Sequence, residues 1–284
     1  MKAGDFLDRM AAASDARARA AEARRPAEAL AARAARLPPP PALRLSPQGF
    51  DLLAEVKRRS PSAGTLAGSA LKVAAQGRNY ARGGAAALSV LTEPDEFAGD
   101  LAHLKEVAAA VPVPAMRKDF LVSPYQLLEA RAAGAGGVLL IAAILPGTQL
   151  KAMVAAAQQL GLFVLLEVFD RAELDRAVAV LRATGPALAA GACRSLVGVN
   201  CRDLRTLRVD FGRFAALAPA LPRDIPAVAE SGVETTAQAA RVAALGYDVA
   251  LVGTALMRAA EPARFAAELL AAGRASAAES GRRR

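Results

Sequence analysis

AEVKRRSPSAG, residues 54–64, ends a short apolar run on a carboxylate, an ammonium and a Ser-Pro-Ser-Ala-Gly turn. Glu55 and Lys57 are two residues apart, so on a strand they project from the same face. On a strand covered on both sides, such a pair is costly unless it is used or well compensated. The pattern recurs outward along the chain in AMRKDF (115–120), LLEVFD (165–170), VGVNCRDL (197–204) and AESG (229–232). Each is an apolar run stopped by charged or amide side chains.

These runs belong to a larger rhythm. Strand candidates fall at 51–57, 86–91, 114–118, 137–142, 163–167, 196–200, 227–230 and 249–252. Segments of helical period lie between them, including 69–82, 124–133, 148–160, 171–182 and 235–245, with a last one near 262–272. Gly83, Gly134, Gly161 and Gly246 follow several of these helices and fit C-terminal caps. Eight strand-helix units, apolar enough to be covered on both faces, predict an α/β fold of the (β/α)8 TIM barrel type. An open doubly wound sheet is the runner-up, but no GxGxxG follows the first strand.

Residues 1–45 read differently, as Ala/Arg/Glu-rich helices interrupted at Pro26 and closed by Pro38 to Pro41. The expected organisation is a helical extension over 1–45, a catalytic barrel over 46–275 and a basic tail over 276–284. The N-terminus carries acids and arginines throughout with no apolar signal region, and no run approaches the roughly 20 apolar residues of a membrane span. A cytoplasmic, soluble protein is therefore expected. Cys193 and Cys201 are the only cysteines, which points to neither a disulfide framework nor a zinc site. The formal charge of +9 comes largely from scattered arginines, and with 4% aromatics and no tryptophan the chain offers no stacking platform for nucleic acid. A solvated basic surface that also steers small anions accounts for the charge.

In a barrel of this kind the site lies at the C-terminal ends of the strands. That is where Glu55, Lys57, Lys118, Asp119, Glu167, Asn200, Arg202, Glu230 and Ser231 fall. A single charge at a strand end is ordinarily solvated; the convergence of five such ends on one mouth is the signal. Two lysines among glutamates form an acid–base set that needs no metal and no organic cofactor. Crowded cations would lower a lysine pKa towards neutrality, and a neighbouring glutamate would raise it again. A buried lysine could instead form a Schiff base, so an aldolase is the chemical competitor. Ser231-Gly232 after the seventh strand and Gly253-Thr254 after the eighth occupy the quarter where this fold usually cradles phosphate. A small phosphorylated sugar derivative is the expected substrate. A basic protein that binds nucleic acid without catalysis is the third reading.

Taken in order, AEVKRRSPSAG, LSVLTEPDEFAGD (88–100), MRKDFLV (116–122), LLEVFD, VGVNCRDL, AESGV (229–233) and LVGTALM (251–257) resemble the indole-3-glycerol phosphate synthase family. LDRM (7–10) is similar to that family's helix ahead of the barrel. The resemblance implies conversion of 1-(2-carboxyphenylamino)-1-deoxyribulose 5-phosphate to indole-3-glycerol phosphate, carbon dioxide and water, a step of tryptophan biosynthesis. It implies that Lys118 is the general acid on the ketone oxygen and that Glu167 is a base or the charge partner of Lys118. Lys57, paired with Glu55, would hold the anionic substrate and donate a proton in the dehydration. Asn200 and Glu230 would bond substrate hydroxyl or carboxylate groups, with Arg202 and Ser60 orienting them. Ser231, Gly232, Gly253 and Thr254 would hold the phosphate, while Phe97 and Phe120 pack on the anthranilate ring. The expected state is a monomer or weak homodimer, with any phosphoribosylanthranilate isomerase activity supplied elsewhere.

Two further positions carry expectations of their own. Cys201 departs from the small polar residue expected there, and its side chain should point away from the cavity if Asn200 points in. His103 is expected on the surface of a helix after the second strand.

Overall fold

The computed structural model describes residues 5–61, 64–66, 71–189, 191–204 and 207–281. Residues 62–63 of the opening motif, 69–70 of the first barrel helix and 282–284 of the basic tail lie outside these. Eight parallel strands close on themselves in chain order: β1 (Asp51–Val56), β2 (Ala87–Leu91), β3 (Ala115–Lys118), β4 (Gly137–Ile141), β5 (Phe163–Val168), β6 (Ser195–Asn200), β7 (Ala227–Glu230) and β8 (Val249–Val252). The ring shuts where Leu53 of β1 pairs with Ala87 of β2 on one side and with Leu251 of β8 on the other. All eight expected strands are present, with ends within a residue or so of those read from the pattern.

Strand parity divides the core in two. Leu53, Ala87, Met116, Leu139, Phe163, Leu165, Leu196, Val228 and Val249 pack together inside the barrel. Their neighbours of opposite parity, such as Leu52, Leu88, Val138, Val164, Val197 and Ala227, pack outward beneath the helices. Because both faces are dry, the strands read as continuous apolar runs rather than as alternation. The inward parity, continued to the C-terminal ends, is what delivers Glu55, Lys118, Glu167, Asn200 and Glu230 to one mouth.

The flanking helices are α3 (Val73–Arg82), α4 (Leu101–Ala110), α5 (Pro124–Ala132), α6 (Gly147–Gln159), α7 (Arg171–Ala183), α8 (Gly212–Leu217), α9 (Thr236–Leu245), α10 (Thr254–Arg258) and α11 (Pro262–Glu279). Local chemistry starts several of them. Ser123 with Gln126 caps α5, and Thr235 with Gln238 caps α9, each satisfying otherwise orphaned N–H groups. At the other ends, Gly246 takes the left-handed cap expected of it, with φ of 104°. Gly134 and Gly161 adopt positive φ one residue past the cap. Gly83 stays right-handed at φ −74°, and Gly84 makes the turn at 89°. With two adjacent glycines, the chain places the left-handed residue at the second.

The extension forms α1 (Asp5–Arg24) and α2 (Ala27–Ala35), broken at Pro26. It docks on the barrel through Leu7 and Met10, which join the cluster inside the mouth. The Gln126 amide donates to Ser14 Oγ at 2.7 Å, and Tyr125 OH donates to the Arg25 carbonyl at 3.0 Å. The last helix, α11, continues to Glu279, through the first residues of the segment read as tail. Segment 183–194, which carries no clear sequence signal, holds a small antiparallel pair, Leu188–Ala189 with Ala192–Cys193. Another pairs Arg59–Ser60 with Gly64–Thr65 beside the mouth. Two-residue strands and the five-residue α10 are too short for periodicity to reveal. Among the described residues, no helix is long and apolar enough to cross a membrane.

Candidate active site

The mouth opens into a cleft continuous with solvent. Every residue that the sequence assigns to the site lines it except Glu167, whose side chain is fully buried. One corner comes from β1 and its exit, where Lys57 Nζ stands 2.7 Å from Glu55 Oε1. The other comes from three strands. Lys118 Nζ, at the end of β3, is 3.4 Å from Glu167 Oε2 on β5 and 3.9 Å from Glu230 Oε2 on β7.

Burial by itself would push the Lys118 pKa down, but Glu167, Glu230 and Glu55 together outweigh it and hold the group above the usual lysine range. Of the two opposing influences expected on a lysine here, crowded cations and a neighbouring glutamate, the glutamates prevail: three carboxylates face two ammoniums, so negative charge is in excess. That excess falls on Glu230. Burial first and Glu167 next raise its pKa well above the ordinary carboxylate range. Neither Glu230 oxygen has a hydrogen-bond partner among the described residues. The site thus contains a fixed ammonium beside a carboxyl that readily holds its proton, an arrangement suited to acid–base work.

Asn200 accepts the Arg202 backbone N–H at 2.9 Å through Oδ1, which fixes its side chain. Its own carbonyl accepts from Arg213 Nη1 at 2.8 Å, a support the sequence reading missed. Arg202 lines the cleft and reaches the Leu207 carbonyl at 3.4 Å. Cys201 faces the other way, into the shell between strands and helices, where burial pushes its thiol up to about 12. His103 sits half-buried on α4, outside the cleft. Asp119 also turns structural: it accepts from Thr92 Oγ1 at 2.7 Å and from Arg117 Nη2 at 3.1 Å.

At the β7 and β8 exits the backbone is tightly turned. Ser231 and Gly232 are consecutive left-handed residues, at φ 65° and 66°. Such pairs of turned peptides form concavities suited to anions. Gly253 caps α10 but has a second neighbour the sequence did not indicate: a Cβ there would overlap the Glu55 carboxyl and lie 3.0 Å from Lys57 Nζ. Its lack of a side chain therefore makes room for the Lys57–Glu55 pair.

The opposite wall is aromatic. Phe120 lies 6.4 Å from Phe97, and Phe6 of α1 meets Phe120 edge-on at 6.3 Å. Phe6 was missed because nothing local ties an N-terminal helix to the third strand. The loop carrying Phe97 is pinned by Glu93, which accepts the N–H groups of Asp95, Glu96 and Phe97. Arg17 of α1 joins it, 2.9 Å from Asp95 and 3.6 Å from Glu93. Among the described residues, no three His, Cys, Asp or Glu side chains come together as metal ligands.

The model of one protein family, described as indole-3-glycerol phosphate synthase, matches residues 7–269. The indole-3-glycerol phosphate synthase of Micrococcus luteus is 48% identical over 219 residues, 77% of each chain. That of Mycobacterium avium is 45% identical over 244 residues, 85% of each chain. Among solved structures, 3-hexulose-6-phosphate synthase from Salmonella typhimurium superposes with a TM-score of 0.60 at 13% identity, covering 81% of this chain and all of that one. Thiamine phosphate pyrophosphorylase from Pyrococcus furiosus does so with a TM-score of 0.55 at 17% identity, covering 81% and 98%. At such identities the two structures speak for the fold alone.

Proposed function

The chain belongs to the indole-3-glycerol phosphate synthase family, and from that premise we propose that it closes the indole ring of 1-(2-carboxyphenylamino)-1-deoxyribulose 5-phosphate through the residues gathered at this mouth. The observation that carries the reading is the Lys118 ammonium, held by Glu167 and Glu230 between an aromatic wall and a tightly turned backbone. The substrate has matching ends, an anthranilate ring and a phosphate. Phe97 and Phe120 receive the ring, and Ser231, Gly232, Gly253 and Thr254 receive the phosphate. Anchoring both ends folds the ring carbon onto the ketone, which converts an entropic cost into a positioning task.

Attack by the arene carbon that bears the carboxylate interrupts aromaticity, so the ketone must be strongly polarised. Lys118 donates its proton to the developing alkoxide. Carbon dioxide then leaves with its bonding pair returned to the ring. Dehydration follows: Lys57 protonates the departing hydroxyl while a carboxylate, Glu167 in this reading, takes a proton from the methylene carbon beside the nitrogen, which completes the indole. Asn200 and Glu230 bond the substrate's hydroxyl or carboxylate groups, with Arg202 and Ser60 orienting them. The upward shift keeps Lys118 protonated, which disfavours Schiff-base formation because that needs the neutral amine. The reading takes the protein to be a cytoplasmic monomer or weak homodimer that acts on a small phosphorylated substrate and not on nucleic acid.

The test is to mix purified protein with the carboxyphenylamino-deoxyribulose phosphate, with no added metal or cofactor, and to follow indole fluorescence. The chain contains no tryptophan, so the background is low. A rise proportional to enzyme supports the reading. A folded protein that gives none overturns it and directs the search to other sugar phosphates.

A further inference from the structure

Gly198 stands in the middle of β6, a fully buried strand. Its φ is not in the left-handed region, so the backbone gives no reason for glycine here. Glycine inside a strand also weakens it, which calls for another explanation, typically a close approach. The neighbours supply one. Gly198 shares the inward parity of Leu196 and Asn200, pairs with Glu167 on β5 and with Val228 on β7, and lies two residues below the Asn200–Glu230 pair. A Cβ built on it would overlap Glu230 Oε1, 2.9 Å from the Glu230 Cδ and 3.0 Å from Leu165 Cδ1. The Glu230 carboxyl therefore occupies the space a side chain at 198 would take, lying across β6 in the direction of Glu167.

We infer that Gly198 is a positioning residue for the ring closure: the gap it leaves lets Glu230 cross β6 and bring its carboxyl beside Glu167 and Lys118. This rests on the role proposed above for Glu230. The groups facing that carboxyl are Lys118 from β3, Glu167 from β5 and Glu55 from β1, and burial with Glu167 raises its pKa. A methyl group at 198 displaces the carboxyl from all three. The alternatives are that Gly198 serves only the packing of Leu165, or that Ala is accommodated without moving Glu230.

The experiment is a double-mutant cycle on the full chain with Gly198→Ala, Glu230→Ala and the pair, read by kcat, KM, the pH dependence of kcat and thermal melting. Misplacing a substrate-orienting group by about an ångström costs on the order of a hundredfold, so Gly198→Ala is expected to lower kcat by about that factor. KM should move much less, and the pH limb that belongs to Glu230 should shift towards the ordinary carboxylate range. In the Glu230→Ala background the added methyl meets no carboxyl, so the double variant should fold and lose no further kcat. That holds even if Gly198→Ala alone is too unstable to assay. Equal losses from Gly198→Ala in both backgrounds, or an unchanged kcat and pH profile beside an impaired Glu230→Ala, overturn the positioning role alone. Full turnover by Glu230→Ala removes the role of Glu230 itself, and with it this inference.

Discussion

Lys57 and Glu55 come from one strand and its exit, and their 2.7 Å contact needs little more than strand parity. Lys118 meets Glu167 from a strand 49 residues further on and Glu230 from a third, at 3.4 and 3.9 Å. The first corner is a one-to-one pair made by local chain geometry. The second is made by barrel closure and holds more negative than positive charge, which fixes the ammonium and leaves Glu230 inclined to keep its proton. The difference teaches that two similar lysines on one rim can have unlike surroundings, which matches the tasks proposed for them: donation to the ketone at the crowded corner, and substrate holding with a later proton at the simple one.

The hardest test of that division is Lys118→Ala. It removes the acid at the moment of ring closure, so kcat should fall about a thousandfold or more while binding largely survives. It also leaves Glu167 and Glu230 without their cation, a loss of about 3–5 kcal/mol if neither took up a proton; uptake by Glu230 should soften the fall in melting temperature. Normal turnover would end the assignment. Lys57→Ala should be milder, about a hundredfold in kcat/KM with a visible rise in KM, because its role combines binding with a later proton. Steady-state kinetics of the two variants side by side would erase the comparison if their losses and KM changes proved alike.

Gly253→Ala probes the simple corner without removing a charge. Its methyl would press on Glu55 and Lys57, so kcat/KM should drop about tenfold, a modest misplacement loss, with Lys118 chemistry intact. An unaltered KM would show that the pair is free to move. The smallest effect concerns stability. A carboxyl whose folded pKa is raised binds more protons folded than unfolded, so its stabilising contribution is present at low pH and fades as pH rises from about 4.5 through the raised value. Glu230→Gln should remove that decline, and denaturant titrations of the two proteins across pH 4 to 8 should converge at the acid end and separate at the alkaline end. Parallel curves would mean that the fold leaves the Glu230 carboxyl unshifted from its unfolded state.

The site was legible in proportion to how local its causes are. Glu55 with Lys57, and the inward turn of Lys118, Glu167, Asn200 and Glu230, follow from two-residue periodicity. Phe6, Arg17 and Arg213 reach the site or its supports from elements whose placement no neighbouring residue announces. Gly253 was legible as a turn glycine, yet its contact with Glu55 spans the closure between β1 and β8.

The sequence by itself determined the number and order of the strands, the face each side chain takes, and the polar residues placed at the strand ends. These depend on backbone geometry over a few residues and on which runs are apolar enough to be buried. Only the tertiary structure decided which carboxylate faces which ammonium, that Glu230 lies across Gly198, and that α1 brings an aromatic ring to the rim. Those depend on the register of strands far apart in the chain, where a shift of one residue would turn every inward group outward. The resulting electrostatics are collective: burial lowers Lys118 and three glutamates from three strands raise it, so its state belongs to the closed barrel and to no single segment.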